Sequence, residues 1–195
     1  MKKQVQNIIV GSLLGDGWLR GISPTEKSAF YAKCNDKSIG YLKWLQKELG
    51  ELKPYPLKNI ERYSQHFFYT PLRADIGKLR KLFYPDEGKK IVPPSIKELL
   101  TDPVSLAVWY QDDGTLDFRS KYHRNALFAT HCFSFEDCNL LKETLQENFG
   151  IKVSVCKCQM RGKMYYRLYV FSESMKSFVE TIRPYIHKNY AYKIR

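Results

Sequence analysis

Leu106-Ala107-Val108-Trp109-Tyr110-Gln111-Asp112-Asp113-Gly114 decides how this chain is read, because it has an echo at Ile9-Val10-Gly11-Ser12-Leu13-Leu14-Gly15-Asp16-Gly17. Each is an apolar run long enough for about two helical turns that stops at Asp-Gly, where glycine lets the backbone leave the helix. An acid therefore stands at the end of each run. Asp16 and Asp113 lie 97 positions apart in a chain of 195, so the echo predicts two similar halves meeting at these stretches.

Working outward, residues 3–15 predict a helix with Val5, Ile8, Ile9, Ser12 and Leu13 along it, and with Gly11, Ser12 and Gly15 small enough to admit another backbone. Strands over 17–22 and 29–34 follow across a Ser23-Pro24-Thr25 turn. Asp36 is placed to N-cap a helix bearing Ile39, Tyr41, Leu42, Trp44, Leu45 and Leu49, with Gly50 as its stop. A second hairpin, 57–64 and 66–70, precedes a helix over 73–83. Pro85, Pro93 and Pro94 mark a connection, and 95–100 a short helix. From Pro103 the order returns: a helix to Asp113, strands at 115–119 and 125–131, a helix over 134–149 stopped by Gly150, strands at 152–159 and 164–171, and a helix over 174–183 broken at Pro184. Phe30 and Phe128 fall 14 and 15 residues after their aspartates, and Gly50 and Gly150 fall 34 and 37 after them. The expected fold class is α+β, with α-β-β-α-β-β-α occurring twice, divided as 1–94 and 95–195. This is a divergent duplication whose period is too long for a solenoid.

Lysine and arginine number 32 against 20 acids, a formal charge of +12, with 44% hydrophobic residues. Such a chain can bury a real core, and its charge points to a polyanion, nucleic acid before an acidic membrane surface. Residues 151–195 hold ten basic side chains against Glu173 and Glu180, so two thirds of the net charge sits in the last quarter. No apolar run approaches the roughly 20 residues of a membrane span, and the start lacks the apolar region of a signal peptide. An intracellular protein without a membrane partner is expected. Five cysteines without regular spacing fit a reducing compartment. Cys156-Lys157-Cys158 reads as strand alternation, with both thiols on one face, rather than as a zinc site.

The two acid-ended helices resemble the paired motifs of LAGLIDADG homing endonucleases in their two-motif, single-chain form. Ile9 to Gly17 fits the nine-residue pattern with glycine third. Leu106 to Gly114 fits it with Leu-Ala at the start and Asp-Gly at the end, departing with Val108 for glycine and Asp112 for alanine. The resemblance implies a pseudo-twofold monomer with the motif helices packed at its centre. Each half would supply a four-stranded antiparallel sheet, the two forming a saddle over a long, nearly palindromic double-stranded DNA target. Small residues suit the close helix crossing, and basic and aromatic side chains on strands can meet phosphates and base edges.

Phosphodiester hydrolysis needs an activated water, neutralised phosphate oxygens and support for the leaving oxygen, which divalent cations held by carboxylates provide. Asp16 and Asp113 are the expected ligands for Mg²⁺ or Mn²⁺, with the backbone carbonyls of Gly15 and Asp112 completing the shells. Asp112 competes with Asp113. Adjacent helical residues point about 100° apart, so one is expected to face the seam, and the register shared with Asp16 selects Asp113. The resemblance also implies a helper at the end of the second strand of each half, matched here by Lys33 and His131. It implies a lysine after the third helix of each half, matched by Lys90 in Gly88-Lys89-Lys90-Ile91 and by Lys193 in Tyr192-Lys193-Ile194, with Lys89 and Lys188 as rivals. Expected DNA contacts are Trp18, Arg20, Lys33, Lys58, Arg62, Arg119, Lys121, Arg124, Lys157, Gln159, Arg161, Lys163 and Arg167, of which Lys157, Gln159 and Arg161 alternate and so share a strand face. Tyr63, Phe67, Tyr69, Tyr165, Tyr166 and Tyr169 read as core or sheet packing. The function expected is site-specific, metal-dependent cleavage of DNA by a free-standing, intron-encoded enzyme. A second reading is an intron-RNA maturase or a non-cleaving nucleic-acid binder, against which the two retained acids argue.

Overall fold

A computed structural model of the chain describes residues 1–21, 26–86, 88–120 and 123–195, with backbone alone at 119, 120 and 123. The expected Ser23-Pro24-Thr25 turn and Lys121 lie outside the described residues, as does the side chain of Arg119. The first series of elements is α1 (Lys3–Leu14), β1 (Trp18–Leu19), β2 (Phe30–Asn35), α2 (Ile39–Glu48), β3 (Lys58–Ile60), β4 (Gln65–Tyr69) and α3 (Ala74–Phe83). After the short α4 (Ile96–Leu99) the series repeats as α5 (Pro103–Asp113), β5 (Gly114–Ser120), β6 (His123–Phe128), α6 (Phe135–Phe149), β7 (Val153–Met160), β8 (Lys163–Val170) and α7 (Met175–Ile182). The strands form two four-stranded sheets with the same order, β1-β2-β4-β3 and β5-β6-β8-β7, antiparallel throughout.

Local chemistry explains the helix boundaries in the second series. Asp102 accepts from the Val104 N–H, with Pro103 in the first turn of α5, where its missing N–H costs nothing. Ser134 and Asp137 form a capping box at the start of α6, and Gly150 ends that helix in the left-handed region at φ 67°.

The two motif helices are central because they are buried nearly all round. From Asn7 to Gly15 and from Val104 to Gln111 every residue is buried. An amphipathic stripe suffices for a helix that covers one face of a sheet, whereas a helix apolar on all sides belongs inside. Each fully buried Leu or Ile contributes about 1.5–3 kcal/mol, and Ile8, Ile9, Leu13, Leu14 and Leu106 are all fully enclosed. The helices touch backbone to backbone: a Cβ on Gly11 would overlap the Ser105 carbonyl of α5, and one on Gly15 would overlap the Asp112 side chain. Phe30 and Phe128, matched by spacing, are both fully buried on the second strands of their sheets.

Two local expectations are corrected. Asp36 does not cap α2. It opens a 3-10 turn, Asp36–Ser38, because its carboxylate is taken by His66 Nε2 of β4 at 2.7 Å. Strand β3 ends at Ile60, and Glu61–Tyr63 form a 3-10 turn closed by Ser64 at φ 47°. Past α7, 3-10 turns at Arg183–Tyr185 and Lys188–Ile194 return the chain to the centre, where Lys193 is expected.

Candidate active site

Because α1 ends at Leu14 and α5 at Asp113, the crossing of these helices delivers Asp16 and Asp113 to one cavity, which Lys90, His131 and Cys132 also line. Solvent reaches Asp16, but the cavity floor withholds enough water to raise its pKa, against the pull of Lys90, Lys193 and Lys33. Asp113 is half-buried, and desolvation first, then repulsion from Asp16, push its carboxyl up to about 7 despite Lys90 and Lys193. Two carboxylates held together and short of water form a site that favours a cation.

Asp112 corrects the expectation about the seam. It is Asp112, not Asp113, that turns into the helix interface, while Asp113 faces the cavity. The Asp112 carboxyl packs on Gly15 and accepts from Tyr41 Oη at 2.9 Å and from Ser12 Oγ at 3.2 Å, both residues of the first series. Part of the residue still borders a neighbouring cavity, but protein surrounds the carboxyl and desolvation, followed by Asp16, pushes it up to about 8, outweighing the two hydrogen bonds. The 100° offset between successive helical side chains does separate the two acids. It does so by giving the seam to Asp112 and the opening to Asp113.

The lysines take nearly matching places. Lys90 Nζ donates to the carbonyls of Gly15 at 2.7 Å and Gly17 at 3.3 Å. Lys193 Nζ donates to the carbonyls of Gln111 at 2.7 Å and Tyr110 at 3.4 Å. Each ammonium thus caps the carbonyl end of a motif helix, where positive charge is favoured. Desolvation lowers the pKa of both, with the three aspartates opposing it. The rivals Lys89 and Lys188 are exposed. The Gly15 carbonyl, expected as a metal ligand, is thereby engaged by Lys90 with one lone pair remaining. Among the described residues no group of three or more His, Cys, Asp or Glu side chains converges on a metal position. Two carboxylates nevertheless fit Mg²⁺, which keeps several waters and is bound through one or two carboxylates together with substrate phosphates.

The helpers divide between the acids. Lys33 lines a second cavity with Asp16, Tyr31, Gln65 and Phe67, and His131 lines the one shared with Asp113. On the first sheet, pairing puts Trp18, Tyr31, Tyr69, Lys33, Phe67 and Lys58 on one face, opposite buried Phe30, Ala32 and Phe68. Phe67 and Tyr69 therefore pack on the open face of the sheet, not in the core, with Tyr31 stacked on Tyr69 at 5.0 Å. Arg20 and Arg62 are exposed. On the second sheet Lys157 and Gln159 share a face, as expected, but it is the face of Val153 and Val155 that packs toward the core. Arg124 has the parity of buried Ala126 and Phe128. Arg161 leaves the strand at φ 50°. Arg167 and Lys163, opposite Cys156 and Met160, occupy the other face, where both thiols of Cys156 and Cys158 also lie. Tyr41, Ser12 and Gln111 were missed. The departure of Asp112 from the motif is the one signal for Tyr41 and Ser12, since an acid in place of alanine needs donors beside it; Gln111, which accepts from the His187 N–H, has none.

The profile of the LAGLIDADG DNA endonuclease family matches residues 6–178. Protein RecA of Mycolicibacterium flavescens is 28% identical over 207 residues, covering 100% of this chain and 47% of that protein. Cytochrome b mRNA maturase bI2 of Saccharomyces cerevisiae is 27% identical over 209 residues, covering 100% of this chain and 48% of that protein. Intron-encoded endonuclease ai4 of Dictyostelium discoideum is 28% identical over 138 residues, covering 71% and 80%. The chain thus spans about half the length of the first two. In fold it is similar to the homing endonuclease I-WcaI bound to its DNA recognition sequence, with a TM-score of 0.81, 20% identity and coverage of 100% and 87%. It is also similar to I-DmoI in complex with DNA and Mn, with a TM-score of 0.57, 13% identity and coverage of 92% and 96%.

Proposed function

Because the chain belongs to the LAGLIDADG DNA endonuclease family, we propose that it is a homing endonuclease, a monomer that hydrolyses both strands of a long, specific DNA site with divalent metal ions. The observation that carries this reading is the delivery of Asp16 and Asp113 from separate halves to one cavity, each helix end capped by a lysine. Mg²⁺ or Mn²⁺ held by Asp16 and Asp113 would supply Lewis acidity and activate water for attack on phosphorus. The protein's own groups do the rest. Lys90 and Lys193 fix the helix ends and place positive charge beside the acids. Lys33 and His131, flanking the acids, stand where they can orient water or meet a phosphate oxygen. Exposed Trp18, Arg20, Lys33 and Lys58 on the first sheet, with Lys163 and Arg167 on the second, offer cationic and aromatic contacts to a duplex backbone.

The relatives support the reading: an intron-encoded endonuclease matches most of the chain, and the fold neighbours include one bound to its DNA recognition sequence and one in complex with DNA and Mn. The yeast bI2 maturase matches the whole chain, which keeps RNA splicing assistance as a second activity to test. The decisive experiment incubates wild-type, Asp16→Asn and Asp113→Asn proteins with Mg²⁺ and a plasmid library that includes the protein's own insertion locus. Wild type is expected to linearise plasmids carrying its site. Each variant is expected to lose at least about 10³-fold in rate, because half the carboxylate set is gone, yet to bind the duplex as tightly as before. Identical behaviour of all three proteins refutes the reading. Splicing of the host intron by Asp16→Asn at the wild-type rate would instead establish the second activity.

A further inference from the structure

Tyr41 of α2 is buried and stacks on Trp44 of its own helix at 5.6 Å, yet its hydroxyl and the edge contact of its ring reach into the second series. Its hydroxyl donates to Asp112 Oδ1 at 2.9 Å. Its ring meets Tyr190 edge-on with centroids 5.0 Å apart, and lies 6.2 Å from His187. Tyr190 and His187 belong to the segment that returns after α7, and that segment brings in Lys193. Lys193 Nζ sits 4.7 Å from the Tyr190 ring centroid and donates to the Gln111 carbonyl at 2.7 Å. Gln111 in turn accepts from the His187 N–H at 2.7 Å. The segment is also latched to the first series by Asn189 Nδ2, which donates to the Lys37 carbonyl at 2.9 Å.

Two things follow from this arrangement. Asp112 is the residue directly before the metal acid Asp113, so whatever fixes its carboxyl fixes the last turn of α5. Its partners, Tyr41 and Ser12, both come from the series that carries the other acid, Asp16. Ser12 is one turn from Asp16 itself. We propose that Tyr41 is a positioning residue for the reaction centre: through its hydroxyl on Asp112 and its ring on Tyr190 it sets Asp113 and Lys193 in place relative to Asp16. An alanine at position 112, as the motif has it, would give Tyr41 nothing to hold, so this is a device of this chain. It rests on the nuclease reading above.

Tyr41→Phe tests it, because the variant removes one oxygen and leaves the ring on Tyr190. Mn²⁺ binding to the purified chain, followed by the electron paramagnetic resonance of the free ion, is expected to weaken about tenfold, the usual loss when a group that orients a metal ligand is removed. The single-turnover rate on a duplex that wild type cuts is expected to fall by a similar factor, with DNA affinity in EDTA unchanged and Tm lowered by only about 2–4 °C, as for the loss of one buried hydrogen bond. In the Asp112→Ala background, where no acceptor is left for the hydroxyl, the Tyr41→Phe change is expected to cost less than it does alone, since contacting partners couple. Wild-type Mn²⁺ affinity and rate in Tyr41→Phe overturn the proposal, as do strictly additive losses or a loss matched by weakened DNA binding or by a fall in Tm of more than about 10 °C. If Tyr41→Phe does not fold, Ser12→Ala, which removes the other donor to the same carboxylate, carries the same expectations. The two readings fail separately: a wild type that cuts no duplex defeats the nuclease reading and this inference with it, whereas a cutting wild type with an unaffected Tyr41→Phe defeats only the positioning role.

Discussion

At the scale of single residues, the informative group is Asp112, a carboxylate placed where little water can reach it. Its pKa, about 8 in the fold against an ordinary carboxylate value of 3.8 when unfolded, means that the folded state binds the proton more tightly. A raised pKa contributes stability that is complete below the unfolded value and is lost as pH rises through the folded one. Folding is therefore opposed at alkaline pH by the cost of ionising Asp112. In metal-free buffer, Asp112→Asn is expected to melt about 5 °C or more above wild type at pH 9 and to converge with it near pH 4, as read by differential scanning calorimetry. Equal Tm differences at both pH values would show that this carboxyl does not titrate across that window. Identity alone gave only the motif departure at this position. The sign of the effect comes from burial, which outweighs two donors distant in sequence, Tyr41 being 71 residues away and Ser12 100.

At the scale of elements, the contact of α1 with α5 is set by what is missing from Gly11. A side chain there would enter the Ser105 carbonyl, and backbone cannot swing aside as a flexible side chain can. Gly11→Val is expected to cost about 3 kcal/mol or more as an overpacking change, lowering Tm by roughly 6–12 °C in a chain of this size. Thermal melts followed by circular dichroism check this, and a melt within 1–2 °C of wild type would deny the close approach. Helices and strands were largely legible beforehand because their signals are local: apolar spacing, Ser134 ahead of its helix, Gly150 behind it. The lysine pair was legible through its resemblance to a family pattern, and the structure brings both lysines to the helix ends. The misses have a common cause. The neighbours of Asp36 in sequence point to a cap, whereas its carboxylate is committed to His66 across the sheet. The segment Lys188–Ile194 has no periodicity to betray it, since 3-10 turns are held by the surface they cross.

At the scale of the whole molecule, the basic side chains of the second sheet divide between its two faces. Lys163 and Arg167 stand on the face away from the core, whereas Lys157 and Gln159 share the face of Val153 and Val155. If the duplex lies against the open faces, the paired change Lys163→Ala with Arg167→Ala is expected to weaken DNA binding about tenfold or more near physiological salt and to reduce the salt dependence by up to about two charges. Lys157→Ala with Gln159→Ala is expected to cost less than about threefold. Fluorescence anisotropy titrations across a salt series distinguish these outcomes, and a larger loss from the second pair would place the duplex elsewhere. Alternation alone predicted that Lys157 and Gln159 share a face, but which face is inward depends on where Phe135 and Tyr166 meet, a contact between separate elements.

The returning segment that seats Lys193 has a further consequence, for chimeras. Lys90 leans toward Phe133 of the second series, while Tyr190 leans on Tyr41 of the first, so the surroundings of each lysine are completed by the other half. Grafting the first ninety-odd residues onto the second half of another family member would keep Tyr41 while discarding Asp112 and the segment it receives. The exchange would preserve every strand of the first sheet and still leave the centre loose. Compatibility between halves is therefore written in the seam, and a designer who wants new target specificity from shuffled halves must carry residues 112 and 187–194 along with the first half.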